Sequence, residues 1–246
     1  MRVMHSEYKR IAEHPDKAIL FIHGIVGTPN HFNSLVPLVP ATMSVYNVLL
    51  DGHGKGAKDF SKTSMKKWEA QIAIAVSELA QNHNEIYIVA HSLGCLLAIE
   101  QAVSNPKVRK LFLLAVPLKL FLKPKMFANS FKVYLNKIGP TDAEALAAKA
   151  CYGIENDKNL LHYLGWVPRF LELFSKIRKT RGIIGLVKVP CTACQSSKDE
   201  MVSRKSAMLL AKNPDISIED LKNSGHYYYA KQDFSLIKEK FIEFIS

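Results

Sequence analysis

The chain has 246 residues, 48% of them hydrophobic and 22% charged, with a formal net charge of +11. That mixture excludes a disordered or fibrous chain and suffices for one sizeable core. It also excludes a membrane span, which needs ~18 uninterrupted apolar residues, because the longest apolar run, LFLLAVPLKLFL, is broken by Pro117 and Lys119. The first ten residues lack the apolar core of a secretory signal, and four cysteines (Cys95, Cys151, Cys191, Cys194) are too few for a disulfide scaffold. A cytoplasmic protein with reduced thiols is expected.

In chain order, AILFI (18–22) is the first apolar run without alternation, and YNVLL (46–50) is a weaker second. Such runs are how strands read when helices cover both faces of a parallel sheet. Trp68, Ile72, Val76 and Leu79 recur at helical steps and predict a helix. IYIVA (86–90) and LFLLAV (111–116) are the next strands, separated by LGCLLAIEQAVS (93–104), which reads as a helix. Residues 117–185 interrupt the alternation with aromatic and aliphatic residues at helical spacing and no convincing strand. KVPCTAC (188–194), a helix from about Ser203, ISIEDL (216–221) and a helix carrying Phe234, Ile237, Phe241 and Phe244 complete the pattern. Alternating strands and helices imply an α/β layer structure, mostly parallel and doubly wound. A single domain spanning 1–246 is expected, with a helical insertion at about 117–185.

Ser92 stands in Ala90-His91-Ser92-Leu93-Gly94, between a predicted strand and a predicted helix. Strand, sharp turn and helix is the setting in which G-x-S-x-G becomes a nucleophile elbow, and small residues two before and two after the serine let the turn form. The same position also suits an N-capping serine. A nucleophilic serine needs a histidine base, itself oriented by a carboxylate. His226, in LKNSGHYYY, follows the last predicted strand at the sheet edge from which Ser92 comes. Asp199, in CQSSKDEMVS, lies beyond another strand end, with Glu200 as the neighbouring alternative. An oxyanion also needs backbone N–H donors. Leu93 supplies one, and Ile25 in the glycine-bearing FIHGIVGTPNHF supplies the other. His23 and His53 are expected to organise loops.

Together these stretches resemble the α/β-hydrolase superfamily: HGIVGTP its oxyanion loop, DGHG the loop after its next strand, AHSLG its elbow, SSKDEMV its acid loop and SGH its histidine loop. Within that superfamily the chain is similar to small bacterial carboxylesterases and monoacylglycerol lipases. The resemblance implies Ser92, Asp199 and His226 as a catalytic triad, Ile25 and Leu93 as oxyanion donors, and a lid in the insertion. Ala90 replaces the usual first glycine, and the N-terminus leaves little room for the family's first strands.

The expected reaction is hydrolysis of small-molecule carboxylic esters, of short to medium acyl chain, through an acyl-enzyme. No metal or organic cofactor is required. A monoacylglycerol lipase or thioesterase is the alternative within enzymes, and a non-catalytic ligand-binding protein on the same scaffold is the alternative outside them. Phe121, Phe127, Phe131, Trp166 and Phe170 are expected to line an acyl pocket. Between residues 117 and 188 thirteen basic residues face five acidic ones. A solvated lysine-rich face explains that excess, with weak contact to anionic lipid as the sharper reading. No nucleic-acid motif accompanies the charge. CTAC (191–194) reads as buried thiols, because strand positions three apart point to opposite faces.

Overall fold

A computed structural model of the chain describes residues 5–13, 15–157, 159 and 161–246. Its strands are β1 (Tyr8–Arg10), β2 (Lys17–Ile22), β3 (Ser44–Val48), β4 (Lys55–Gly56), β5 (Glu85–His91), β6 (Val108–Leu114), β7 (Ile154–Glu155), β8 (Cys191–Ser196) and β9 (Ile216–Leu221). Among the described residues seven strands form one sheet in the order β1-β3-β2-β5-β6-β8-β9. All pairings in it are parallel except β1 with β3. The helices are α1 (Ala57–Ser61), α2 (Met65–Asn82), α3 (Leu93–Ser104), α4 (Pro124–Tyr134), α5 (Ala143–Cys151), α6 (Leu161–Leu164), α7 (Trp166–Ile183), α8 (Lys205–Leu210) and α9 (Lys231–Ile245). No described helix is long and apolar enough to cross a membrane.

The apolar runs are strands because both faces of the sheet are covered. Ala18, Leu20 and Ile22 join one core with Ile86, Ile88, Leu111 and Leu113, under α2, α3 and α7. Ile19 and Phe21 turn the other way, with Tyr87, Val89, Phe112 and Leu114, and meet Ile237, Phe241 and Phe244 of α9. Cys191 belongs to the first core and Cys194 to the second, as alternation along β8 requires. Burial pushes the Cys191 thiol up to about 12, which leaves it an inert packing group.

Strand bounds shift from the sequence reading, β6 running Val108–Leu114 rather than 111–116 and β8 Cys191–Ser196 rather than 188–194, and three further details differ. The edge strand β1 is short and polar, so no hydrophobic pattern announces it. The insertion does contain a strand: β7 pairs in parallel with β4, the Lys55–Gly56 segment that follows the third sheet strand. And β3 stops at Val48 rather than Leu50, because side chains take over the next backbone groups. Gln71 Nε2 donates to the Leu49 carbonyl, and the Leu50 N–H donates to His23 Nε2.

Among the described residues four helices, α4 to α7, lie between β6 and β8. The last of them is tied to the body of the fold. Lys176 on α7 is 2% exposed and makes ion pairs with Glu69 of α2 and Glu100 of α3. By contrast, side chains of α4 bond to α5 and its flanks: Lys125 to Glu144, Lys132 to Asp142 and Ser130 to Tyr152.

Candidate active site

Ser92 closes β5 and opens α3 with φ of 52°. A non-glycine residue held at positive φ costs roughly 1–3 kcal/mol and persists only where the surroundings over-determine it. Here they do. The Ser92 N–H is held by the Leu114 carbonyl at 2.9 Å, and α3 starts so close to β2 that a Cβ on Gly94 would fall 2.2 Å from the Ile22 carbonyl oxygen. Ala90 is fully buried in the sheet, so its methyl group fits where the family pattern has glycine. The Ser92 side chain does not cap α3. Its hydroxyl turns instead toward the imidazole of His226, with Oγ 3.1 Å from Nε2.

His226 stands in the loop after β9. That loop is built by Asp233, whose carboxylate accepts from the N–H groups of Lys222 and Asn223 and from the Ser224 hydroxyl. His226 Nδ1–H donates to Asp199 Oδ2 at 2.9 Å. Asp199 is itself fixed from behind, since its Oδ1 accepts from the N–H groups of Met201 and Val202 at 2.7 and 2.8 Å. Asp199 and His226 are each 1% exposed. Burial pushes the imidazole pKa down, but the charge and hydrogen bond of Asp199 outweigh it, so the ring is more basic than usual. Burial likewise pushes the Asp199 carboxyl up, and the His226 charge together with the three hydrogen bonds brings it below the ordinary value. Both shifts favour an ion pair once His226 carries a proton.

The loop after β2 crosses in front of the elbow. A Cβ on Gly24 would lie 2.9 Å from Ser92 Cβ, so the loop runs against the serine itself. Val26 has φ of 52°, and no hydrogen bond of a turn or loop among the described residues uses the N–H of Ile25 or of Leu93. His23 organises this loop: Nδ1–H donates to the Gly24 carbonyl and Nε2 accepts from the Leu50 N–H. Burial leaves that ring neutral. His53 packs edge-on between His23 and Phe60.

Ser92, His226 and Asp199 are thus brought together, with Ile25 and Leu93 beside them. The five aromatic residues expected around an acyl pocket are not gathered in the same way. Phe121, Phe127 and Phe131 are 64%, 57% and 62% exposed: Phe121 lies in the segment before α4, and α4 itself leans on α5 and turns Phe127 and Phe131 outward. Trp166 and Phe170 pack against the core, and Trp166 Nε1–H donates to the Ala57 carbonyl. Two further residues also touch the site: His91, to which the sequence reading gave no role, and Glu200, which it weighed only as the alternative to Asp199. The His91 ring, next to the serine, donates from Nε2 to the His226 carbonyl, and Glu200 accepts the His226 N–H. Among the described residues no group of three or more His, Cys, Asp or Glu is placed to hold a metal ion.

Residues 19–233 match the model of the alpha/beta hydrolase family. The chain belongs to that family. A thermostable monoacylglycerol lipase from Bacillus sp. (strain H-257) is 23% identical to this hydrolase over 96% of the present chain and 92% of its own. Among solved structures, one described as LipS and LipT, metagenome-derived lipolytic enzymes, superposes with a TM-score of 0.75 at 19% identity, covering 98% of this hydrolase and 97% of that chain. The monoacylglycerol lipase of Paleococcus ferrophilus superposes with a TM-score of 0.66 at 17% identity, covering 98% of both chains. At these identities the structural matches establish the fold that the hydrolase shares with them.

Proposed function

We propose that this α/β-hydrolase cleaves carboxylic esters through an acyl-enzyme, with Ser92 as nucleophile, His226 as general base and acid, and Asp199 as its orienting carboxylate. The observation that carries the reading is the unbroken line from Ser92 Oγ through His226 to Asp199, at 3.1 and 2.9 Å. A serine alkoxide does not form near neutral pH, so the hydroxyl must lose its proton as it attacks. In this reading His226 Nε2 takes that proton while Oγ bonds to the ester carbonyl carbon. The oxygen that becomes negative turns to the N–H groups of Ile25 and Leu93, the second of which sits at the N-terminus of α3, where the helix dipole favours negative charge. Collapse of the intermediate expels the alcohol with the proton from His226. Water then repeats the sequence on the acyl-serine and releases the carboxylic acid.

A fluorophosphonate probe should label Ser92, and p-nitrophenyl esters of graded acyl length should be turned over with a preference for short to medium chains. Labelling or full turnover that persisted in Ser92→Ala would end this mechanism. A protein that bound such esters without turning them over would instead be a ligand-binding relative on the same scaffold.

The names of the relatives and one surface feature favour a second reading, a monoacylglycerol lipase. Phe127 and Phe131 on α4, and Leu164, Val167, Leu171 and Phe174 at helical spacing on α6 and α7, are exposed, and the segment carrying them is strongly basic. In this reading the inserted helices form a lid that rests on an anionic lipid surface. Faster hydrolysis of monoacylglycerols than of soluble short-chain esters, with sedimentation on vesicles containing anionic lipid, would select it. Equal partitioning on neutral vesicles would remove the charge argument.

A further inference from the structure

The imidazole of His226 is oriented by Asp199, but a ring swings with the backbone that carries it. The His226 peptide groups are gripped from two sides by side chains. Its N–H donates to Glu200 Oε2 at 2.9 Å, and its carbonyl accepts from His91 Nε2–H at 2.9 Å. All three residues are buried. The grip joins separate parts of the chain, since Glu200 belongs to the loop after β8 and His91 to the end of β5.

Each half of the grip is itself prepared. Glu200 reaches the His226 N–H only because residue 225 is glycine: a Cβ there would lie 2.8 Å from Glu200 Oε2. The Glu200 backbone is in turn held, its carbonyl accepting from the Lys123 N–H at 2.8 Å. On the other side, the His91 ring stacks on His31 with centroids 3.9 Å apart, and His31 Nε2 is 3.0 Å from the Tyr229 hydroxyl. Burial keeps His91 neutral, so it has one N–H to give, and the His226 carbonyl takes it.

We propose that Glu200 and His91 are positioning residues for the reaction, clamping the His226 main chain so that Nε2 stays in register with the Ser92 hydroxyl. This rests on the ester-hydrolase reading above. Neither residue touches the reacting atoms. Both act through His226, where a misplacement of about 1 Å costs on the order of 100-fold in rate.

The test is steady-state kinetics on p-nitrophenyl butyrate, with melting temperatures recorded alongside. Glu200→Ala should lower kcat by roughly 10- to 100-fold with KM little changed. Glu200→Gln keeps an oxygen to accept the N–H and should restore kcat to within about threefold of wild type. It removes a negative charge facing His226, so the acidic limb of the pH profile should move to lower pH. The other groups facing that ring are Asp199, Ser92 and Tyr227, with His91 and His31 behind, and they are unchanged in this variant. Gly225→Ala pushes aside only the flexible end of Glu200, so it should reproduce Glu200→Ala without added loss in the double variant. His91→Phe, which keeps the ring but loses the N–H, should lower kcat about tenfold.

Unchanged kcat in Glu200→Ala, or equal loss in the Ala and Gln variants with matching falls in melting temperature, would overturn the clamp while leaving the esterase reading intact. If wild type turned over no ester, that reading would fall and the clamp would be read from the low-field proton resonance of His226 Nδ1–H. Loss of this resonance in Glu200→Ala and its return in Glu200→Gln supports the clamp; its persistence in both overturns it.

Discussion

Gly94 and Ile22 stand so close that no side chain fits between them: the position a Cβ would take on Gly94 is 2.2 Å from the Ile22 carbonyl oxygen and 2.9 Å from that of His23. The first turn of α3 therefore leans directly on the end of β2, and this contact sets the angle at which the elbow lifts Ser92. Gly94→Ala must separate backbone from backbone, which no rotamer change can relieve. It should destabilise the protein by about 2 kcal/mol or more and abolish most activity. Thermal unfolding and esterase assays would check both effects. A variant with wild-type melting and turnover would show that the contact is not a constraint.

The proposed chemistry makes its three side chains unequal in kind. Ser92→Ala and His226→Ala should each lower kcat by on the order of 10⁴ or more, and combining them should cost little further, because residues that act as a unit are not additive. Asp199→Asn should cost on the order of 10³ to 10⁴ while leaving the fold intact, since an amide can present its N–H to the ring and select the wrong tautomer. Single-turnover kinetics on the three variants and one double variant would measure this.

The pH dependence has a definite sign. His226 must be neutral to accept the Ser92 proton, and its pKa is held above the ordinary 6.5. Activity should therefore rise with pH through one group whose midpoint lies above 6.5. In Asp199→Asn the same midpoint should fall, because the charge that outweighs burial is gone. A wild-type profile rising below pH 6 would contradict the raised value.

Stability should depend on pH in the opposite region. His23, His53 and His91 are buried, and burial holds all three in the neutral form, His53 down to about 4. Each takes up a proton on unfolding, so its contribution is complete above the unfolded pKa of about 6.5 and is lost as pH falls below it. The slope is about 1.4 kcal/mol per pH unit for each histidine. His226 runs the other way: its contribution is present below about pH 6.5 and disappears as pH rises through its raised folded value. The net expectation is a melting temperature that drops steeply between pH 6.5 and 5. His53→Gln should flatten that slope, and denaturation measured across this range would show it.

Lys176 is a buried cation whose two partners, Glu69 and Glu100, come from different helices. Removing one member of a buried ion pair leaves the rest uncompensated and costs roughly 3–5 kcal/mol. Both glutamates reach solvent, which lowers that figure for Lys176→Ala. Lys176→Met keeps the apolar stem and should cost less. Chemical denaturation of the two variants would rank them, and equal losses would mean that the charge contributes nothing beyond packing.

The parallel strands and the helices around them were legible from the sequence because burial on both faces leaves unbroken apolar runs, and helices on one side leave a 3.6-residue period. Ser92, Asp199 and His226 were legible because each follows a strand that ends at the same rim, so topology alone carries them to one place. Strand ends were less legible. The C-terminal end of β3 is decided by Gln71 and His23, which lie far from it in the chain. β1 and β7 carry too few apolar residues to show a period at all.

The amino-acid order alone thus determined which residues form the covered sheet and that Ser92, His226 and the neighbouring acids Asp199 and Glu200 arrive at its edge, since hydrophobic periodicity and chain connectivity are local properties. Tertiary structure alone decided that Ser92 turns to His226 rather than capping its helix, that Asp199 rather than Glu200 meets the ring, and that Glu200 and His91 hold the His226 main chain. These are choices among hydrogen bonds of similar strength, and only distance and direction in the folded chain distinguish them.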